Sequence, residues 1–105
     1  MQEKEFYAKL GIGRIRALTG ETILTYHETL TAINYISKEE MCIILGGDVL
    51  NANDEYIYGF WNYETNSTLT RGQNVCLSCQ KALSYITSLK DKEKNNYVLV
   101  LDPGE

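Results

Sequence analysis

The sequence lacks the features that mark secreted and membrane proteins. Its apolar runs fall far short of the roughly 20 residues that cross a bilayer, and the N-terminus, MQEKEFYAKL, has no apolar signal segment. The cysteines number three, which is odd and too few for a secreted disulfide scaffold. These absences predict a cytoplasmic protein that does not bind membranes.

Positive charge is scarce and is missing from the middle of the chain. The 10 Lys and Arg residues against 14 Asp and Glu residues give a net charge of -4, which does not favour binding to nucleic acid. No basic residue lies between Lys38 and Arg71, and the acids in this stretch are Glu39, Glu40, Asp48, Asp54, Glu55 and Glu64. An acidic block of this kind can steer association with a basic protein.

The chain has one proline among 105 residues and no Gly/Ser-rich or Pro-rich linker, which predicts a single domain over residues 1–105. A capping box at Thr70 and Gln73 begins the clearest helix. Apolar periodicity predicts the other elements, namely helices over 3–10 and 21–36, strands over 41–50 and 55–63 that form a hairpin, and a strand over 97–102. The predicted fold class is α+β: a small, mostly antiparallel sheet (central hairpin plus C-terminal strand) with two to three helices packed on one face.

The segment ILGGDVL, residues 44–50, places two glycines and an aspartate inside an apolar run. A phosphate-binding loop needs glycine beside a helix N-terminus, and the Walker pattern needs a Gly-Lys-Ser/Thr tail, which is absent. The GGDEF signature of diguanylate cyclases fails because Val-Leu replaces Glu-Phe. We therefore predict that Gly46 and Gly47 allow close backbone approach or form a bulge. Asp48 would then point to solvent, to a backbone donor or to a partner.

Cys76-x-x-Cys79 and His27 are the candidates for metal or redox chemistry. A redox pair lies at a helix N-terminus, whereas these cysteines fall inside a predicted helix, on its apolar stripe. A zinc site needs about four ligands, and only Cys42 and His27 are left as soft partners. Core packing of both cysteines is the preferred interpretation over zinc or redox roles, and no metal or cofactor is expected. His27 is predicted to be exposed or half-buried.

Five of the eleven aromatic residues lie within EYIYGFWNYETN, residues 55–66. Alternation along a strand would place Tyr56, Tyr58 and Phe60 on one face and Ile57, Trp61 and Tyr63 on the other. A one-layer sheet buries one face in its core, so the second face is either covered by another element or exposed. Exposed aromatic residues beside carboxylates are typical of protein-binding surfaces. The candidate partner-binding residues are Asp48, Asp54, Glu55, Tyr58, Trp61, Tyr63 and Glu64.

These segments resemble a family of small immunity proteins from bacterial polymorphic toxin systems that is marked by a GGDV motif. The similarity covers a strand ending in ILGGDV, a hairpin, a tryptophan in the return strand, a helix with S-x-x-x-A-x-x-Y-I spacing and a final Y-V-L-V strand. The family's aromatic residue after GGDV is Leu50 here. The matching positions are Gly46, Gly47, Asp48, Val49, Trp61, Ser78, Ala82, Tyr85, Ile86, Tyr97 and Val98. The resemblance implies a cytoplasmic α+β protein that binds and neutralises a cognate toxin.

The predicted function is therefore that of a non-catalytic immunity protein, which occludes a cognate toxin stoichiometrically. We expect the toxin to be basic around its active site, because the acidic, aromatic-rich hairpin would then complement it. The alternative is a protein-interaction or regulatory module unrelated to toxins, for example a homodimer that pairs through the hairpin edge. Small-ligand binding and catalysis are further alternatives, and an enzyme would need a deep pocket that joins His27 to a carboxylate or a thiol.

Overall fold

A computed structural model describes residues 3–102, apart from the side chain of Tyr58. The elements in chain order are α1 Glu3–Leu10, β1 Arg14–Ile15, β2 Thr22–Thr25, α2 Tyr26–Glu39, β3 Ile43–Leu50, β4 Tyr56–Asn62, α3 Arg71–Ser88 and β5 Asn96–Asp102. The strands form one curled antiparallel sheet in the order β1-β2-β5-β3-β4. This arrangement confirms the predicted α+β fold class.

The predicted hairpin is confirmed, and the C-terminal strand lies beside it in the middle of the sheet. β3 pairs with β4 on one side and with β5 on the other. The turn between β3 and β4 is held by Asn51, whose side-chain oxygen accepts the backbone N–H groups of Asn53 at 2.8 Å and Glu55 at 3.1 Å. An Asx turn of this kind explains why the asparagine-rich segment reverses the chain there.

The predicted helix over residues 21–36 is wrong at its start. Thr22–Thr25 form strand β2, and α2 begins only at Tyr26. Thr25 caps the helix: its hydroxyl accepts the Glu28 N–H at 3.2 Å, and the Glu28 carboxylate accepts the Thr25 N–H at 3.0 Å. A capping box favours an extended conformation at its first residue, which allows Thr25 to be the last residue of strand β2.

The two faces of the sheet differ in what covers them. α2 and α3 pack on one face, where Val49, Tyr97 and Leu99 join the main hydrophobic core. The opposite face, called here the open face, carries Asp48, Phe60 and Val100, which are exposed or half-buried. A second, smaller buried cluster also lies on the open face and consists of Ile23, Leu50 and Val98.

Candidate partner-binding surface

Gly46 and Gly47 lie directly against Trp61 of the neighbouring strand. Gly47 lies on the helix-covered face, where an added Cβ would clash with the Trp61 ring and would lie 2.6 Å from the Val98 carbonyl oxygen. At Gly46 an added Cβ would clash with the Trp61 carbonyl oxygen. The two glycines therefore allow β3, β4 and β5 to pack closely around one large side chain.

Trp61 lies in the core and is only 5% exposed. Its ring packs on Tyr85 of α3, with ring centroids 5.2 Å apart, and it belongs to the same core cluster as Ile86. The prediction that the Trp61 side chain is exposed is wrong. Gly47, which pairs with Trp61, has no side chain, and this leaves room for the indole on the face that α3 covers. Trp61 thus contributes its ring to the core and not to the exposed surface.

Tyr63 also turns toward the helices. Its hydroxyl donates to the Asn74 side-chain oxygen at 2.6 Å, and that oxygen also accepts the Asn66 N–H at 2.8 Å. The Asn74 amide donates in turn to the carbonyl oxygens of Asn66 and Thr70. This network attaches the loop after β4 to α3. Sequence analysis did not single out Asn74, although a polar residue on the apolar stripe of a predicted helix was a signal for it.

The predicted acidic residues do not gather in one place. Asp54 and Glu55 lie in the turn that precedes β4, whereas Glu64 is exposed beyond its far end. Seven residues of extended chain separate these ends by roughly 24 Å. Asp54 is also paired, because Arg14 forms an ion pair with it and the Asn96 amide donates to it at 3.1 Å. Hydrogen bonding from Arg14 lowers the pKa of Asp54.

Asp48 is the predicted site residue that the open face presents beside exposed apolar side chains. It lies opposite Phe60 on β4 and opposite Val98 on β5. Phe60 is 68% exposed and Val100, the next residue of β5 on this face, is 46% exposed. Burial and the nearby negative charge of Glu21 raise the pKa of Asp48. Sequence analysis missed Val100, although alternation along YVLVLD places it opposite to the buried Leu99.

The chain between α1 and β2 reaches across the open face to the start of β4. The Arg16 guanidinium lies 5.0 Å from the centroid of the Tyr56 ring, and the Tyr56 hydroxyl donates to the Glu21 carboxylate at 2.6 Å. These contacts join the segment before β2 to β4, whose Tyr56 pairs with Leu50 of the smaller buried cluster. One part of the open face is thereby closed, and the part around Asp48 and Phe60 is left exposed.

The sequence of this chain is similar to that of a known protein family. Residues 8–102 match the sequence profile of a family described as Immunity protein 40. The chain belongs to the Immunity protein 40 family. No curated protein and no solved structure matches the chain. The resemblance to immunity proteins that the sequence suggested is thus confirmed at the level of the family.

In this Immunity protein 40 member, the two cysteines of Cys76-x-x-Cys79 have different environments. Cys79 is buried on α3, whereas Cys76 is exposed, so the prediction that both pack in the core is wrong for Cys76. Burial raises the pKa of Cys79 to about 11 and that of Cys42 to about 12, which keeps both thiols protonated at neutral pH. Within residues 3–102, no three or more His, Cys, Asp or Glu side chains are grouped to hold a metal ion.

His27 is exposed on α2, where its ring packs against Tyr26. A cleft of about 320 Å³ opens where β2 and β5 diverge, and neither His27 nor a cysteine lines it. The pocket that an enzyme would need, with His27 beside a carboxylate or thiol, is not formed by this cleft. In the part of the chain that the structure describes, no helix is both long and apolar enough to span a bilayer.

Proposed function

We propose that this chain binds a cognate bacterial toxin and neutralises it by stoichiometric occlusion, without catalysis. The observation that carries the proposal is the family match over residues 8–102. The net charge of -4 supports it further, since an acidic protein associates rapidly with a toxin that is basic around its active site.

The toxin contact is proposed on the open face and the adjoining hairpin turn. This surface combines the carboxylates of Asp48 and Glu55 with the exposed rings of Tyr56 and Phe60. Aromatic anchors with a polar rim are typical of protein-binding surfaces. Asp54 contributes to the negative potential of the turn, although Arg14 offsets part of it.

Co-expression with the product of the adjacent toxin gene tests the function directly. Cells that carry both proteins should grow, whereas cells that carry the toxin alone should die. The purified complex should have the mass of a 1:1 assembly by light scattering. Equal killing with and without this chain would show that it is not the immunity partner of that toxin.

Charge reversal at the two ends of β4 tests where the contact lies. Glu55→Lys at the hairpin turn should weaken toxin binding about tenfold or more, because it places a positive charge in the proposed interface. Glu64→Lys, beyond the opposite end of β4, tests whether the interface extends to the far end. Unchanged affinity for Glu55→Lys at physiological salt would move the contact away from the turn.

A homodimer is the second candidate, and the outer edge of β4 is the observation that favours it. This strand has no charged residue, and Ile57 and Phe60 are exposed on it. However, the strand is bulged. Between the pairs Asp48–Phe60 and Leu50–Tyr56, β3 has one residue, Val49, whereas β4 has three, residues 57–59. A bulge weakens an edge as a template for pairing. A sedimentation mass of one chain at high protein concentration would exclude the dimer.

A further inference from the structure

We propose that the open face binds one arginine side chain of the toxin, which pairs with Asp48 and stacks on Phe60. The inference rests on the proposed function, because it names the group that the toxin inserts into this surface. It is carried by an exposed apolar patch beside a carboxylate to which no residue in the described part of the chain supplies a counter-ion.

The register of the sheet sets the geometry of this patch. Val98, Asp48 and Phe60 lie side by side on three neighbouring strands. On β3, the next residue of this face is Gly46, which has no side chain to cover the carboxylate. Gly46 cannot acquire one, because its Cβ would clash with the Trp61 carbonyl oxygen on β4. The position next to Asp48 on this face of β3 therefore carries no side chain.

Asp48 is a half-buried carboxylate, and none of the side chains that the structure describes, which exclude that of Tyr58, forms a hydrogen bond or ion pair with it. The two arginines near this face have other contacts: Arg14 with Asp54, and Arg16 with the Tyr56 ring. Glu21 adds a second negative charge close to Asp48. A partly desolvated carboxylate beside another carboxylate is unfavourable, and a cation supplied by a partner would relieve that cost.

Phe60 selects arginine over lysine as the cation. Its ring is 68% exposed and lies directly across from Asp48. A planar guanidinium can stack on an aromatic ring while it donates two hydrogen bonds to a carboxylate, whereas an ammonium group is a strongly hydrated point charge. Val100, 46% exposed on the same face, offers apolar surface to the aliphatic part of the arginine side chain.

The experiment measures the affinity of four proteins for the catalytically inactivated product of the adjacent toxin gene. They are the natural chain, Asp48→Asn, Phe60→Leu and the control Glu93→Gln, which removes an exposed acid from the turn before β5. Asp48→Asn should weaken binding about 30-fold or more, since a desolvated arginine would lose its charged partner. Phe60→Leu, which keeps an apolar side chain but removes the ring, should weaken it several-fold. Glu93→Gln should leave it unchanged.

A charge exchange identifies the partner group itself. Asp48→Lys should abolish binding, and one Arg→Glu substitution in the toxin should restore it. Unchanged affinity for Asp48→Asn would overturn the inference but leave toxin neutralisation intact. Loss of binding with Asp48→Asn but not with Phe60→Leu would overturn the choice of arginine. Failure of the natural chain to bind or to protect cells would instead overturn the proposed function, and the inference with it.

Discussion

Trp61 and Phe60 are consecutive residues of one strand, and they have opposite environments. Trp61 is 5% exposed beneath α3, whereas Phe60 is 68% exposed on the open face. A strand places neighbouring side chains on opposite faces, so the difference belongs to the two faces of the sheet. One face of the hairpin therefore packs into the core, and the other leaves an apolar ring exposed to solvent.

The helix-covered face buries most of the apolar side chains, because α2 and α3 both pack on it. The open face buries a cluster of three, Ile23, Leu50 and Val98. Beyond this cluster, Phe60 and Val100 are left exposed. A large apolar ring gains little stability in water, and its exposure beside Asp48 is the reason why we propose a partner contact there.

Alanine substitution of Trp61 and of Phe60 should give the largest difference in the free energy of unfolding. Trp61→Ala should lower the free energy of unfolding by about 3–5 kcal/mol, because it removes buried surface and leaves a cavity against Tyr85. Phe60→Ala should change it by no more than about 0.5 kcal/mol. Urea unfolding followed by circular dichroism measures both. Equal losses for the two variants would contradict the division between the faces.

A single methyl group added under Trp61 should have the next largest effect. Gly47→Ala places Cβ against the Trp61 ring and 2.6 Å from the Val98 carbonyl oxygen, so we expect a loss of about 1–3 kcal/mol from overpacking. Gly72→Ala is the matched control. Its Cβ would meet the flexible end of the Glu40 side chain at 2.5 Å, and alanine favours the helix, so stability should be unchanged or slightly higher. The melting temperature should therefore fall for Gly47→Ala and stay the same or rise slightly for Gly72→Ala.

Sequence reasoning identified the elements whose signals are local. The capping box at Thr70 and the Asn-rich turn at residues 51–54 marked the start of α3 and the hairpin, and both are confirmed. A second capping box, at Thr25, was present but was not recognised, and helical periodicity was therefore extended through β2. Reading Thr-x-x-Glu as a helix start would have corrected that boundary.

The site was harder to predict because it depends on contacts between distant segments. Alternation separated Phe60 from Trp61, but it did not reveal which face the helices cover. That choice follows from the packing of Trp61 between Gly47 and Tyr85. Arg14 pairs with Asp54 across 40 positions of the chain, and no local pattern indicates that this predicted acid already has a partner.

The smallest expected change in stability comes from removing the Asp48 charge on the open face. Whether stability rises or falls shows whether this charge opposes folding. Burial and Glu21 raise the pKa of Asp48 in the folded chain, so ionisation of this carboxyl group opposes folding. Asp48→Asn should therefore stabilise the free chain at neutral pH. Solvent screening of this surface position keeps the gain within about 0.5 kcal/mol. The gain should appear as the pH rises through about 4, the usual pKa of an unfolded aspartate, and should vanish below it.

Arg14→Gln should change the stability at neutral pH in the opposite direction to Asp48→Asn. Arg14 lowers the pKa of Asp54, so this ion pair contributes stability above the unfolded pKa of the carboxyl group that is lost as the pH falls. Arg14→Gln should therefore lower the melting temperature at neutral pH and have little effect in acid. If Asp48→Asn also lowered it at neutral pH, Asp48 would be a stabilising residue. Asp48→Asn could instead raise the melting temperature at neutral pH and weaken toxin binding. The Asp48 carboxylate would then destabilise the free protein and stabilise the complex with the toxin.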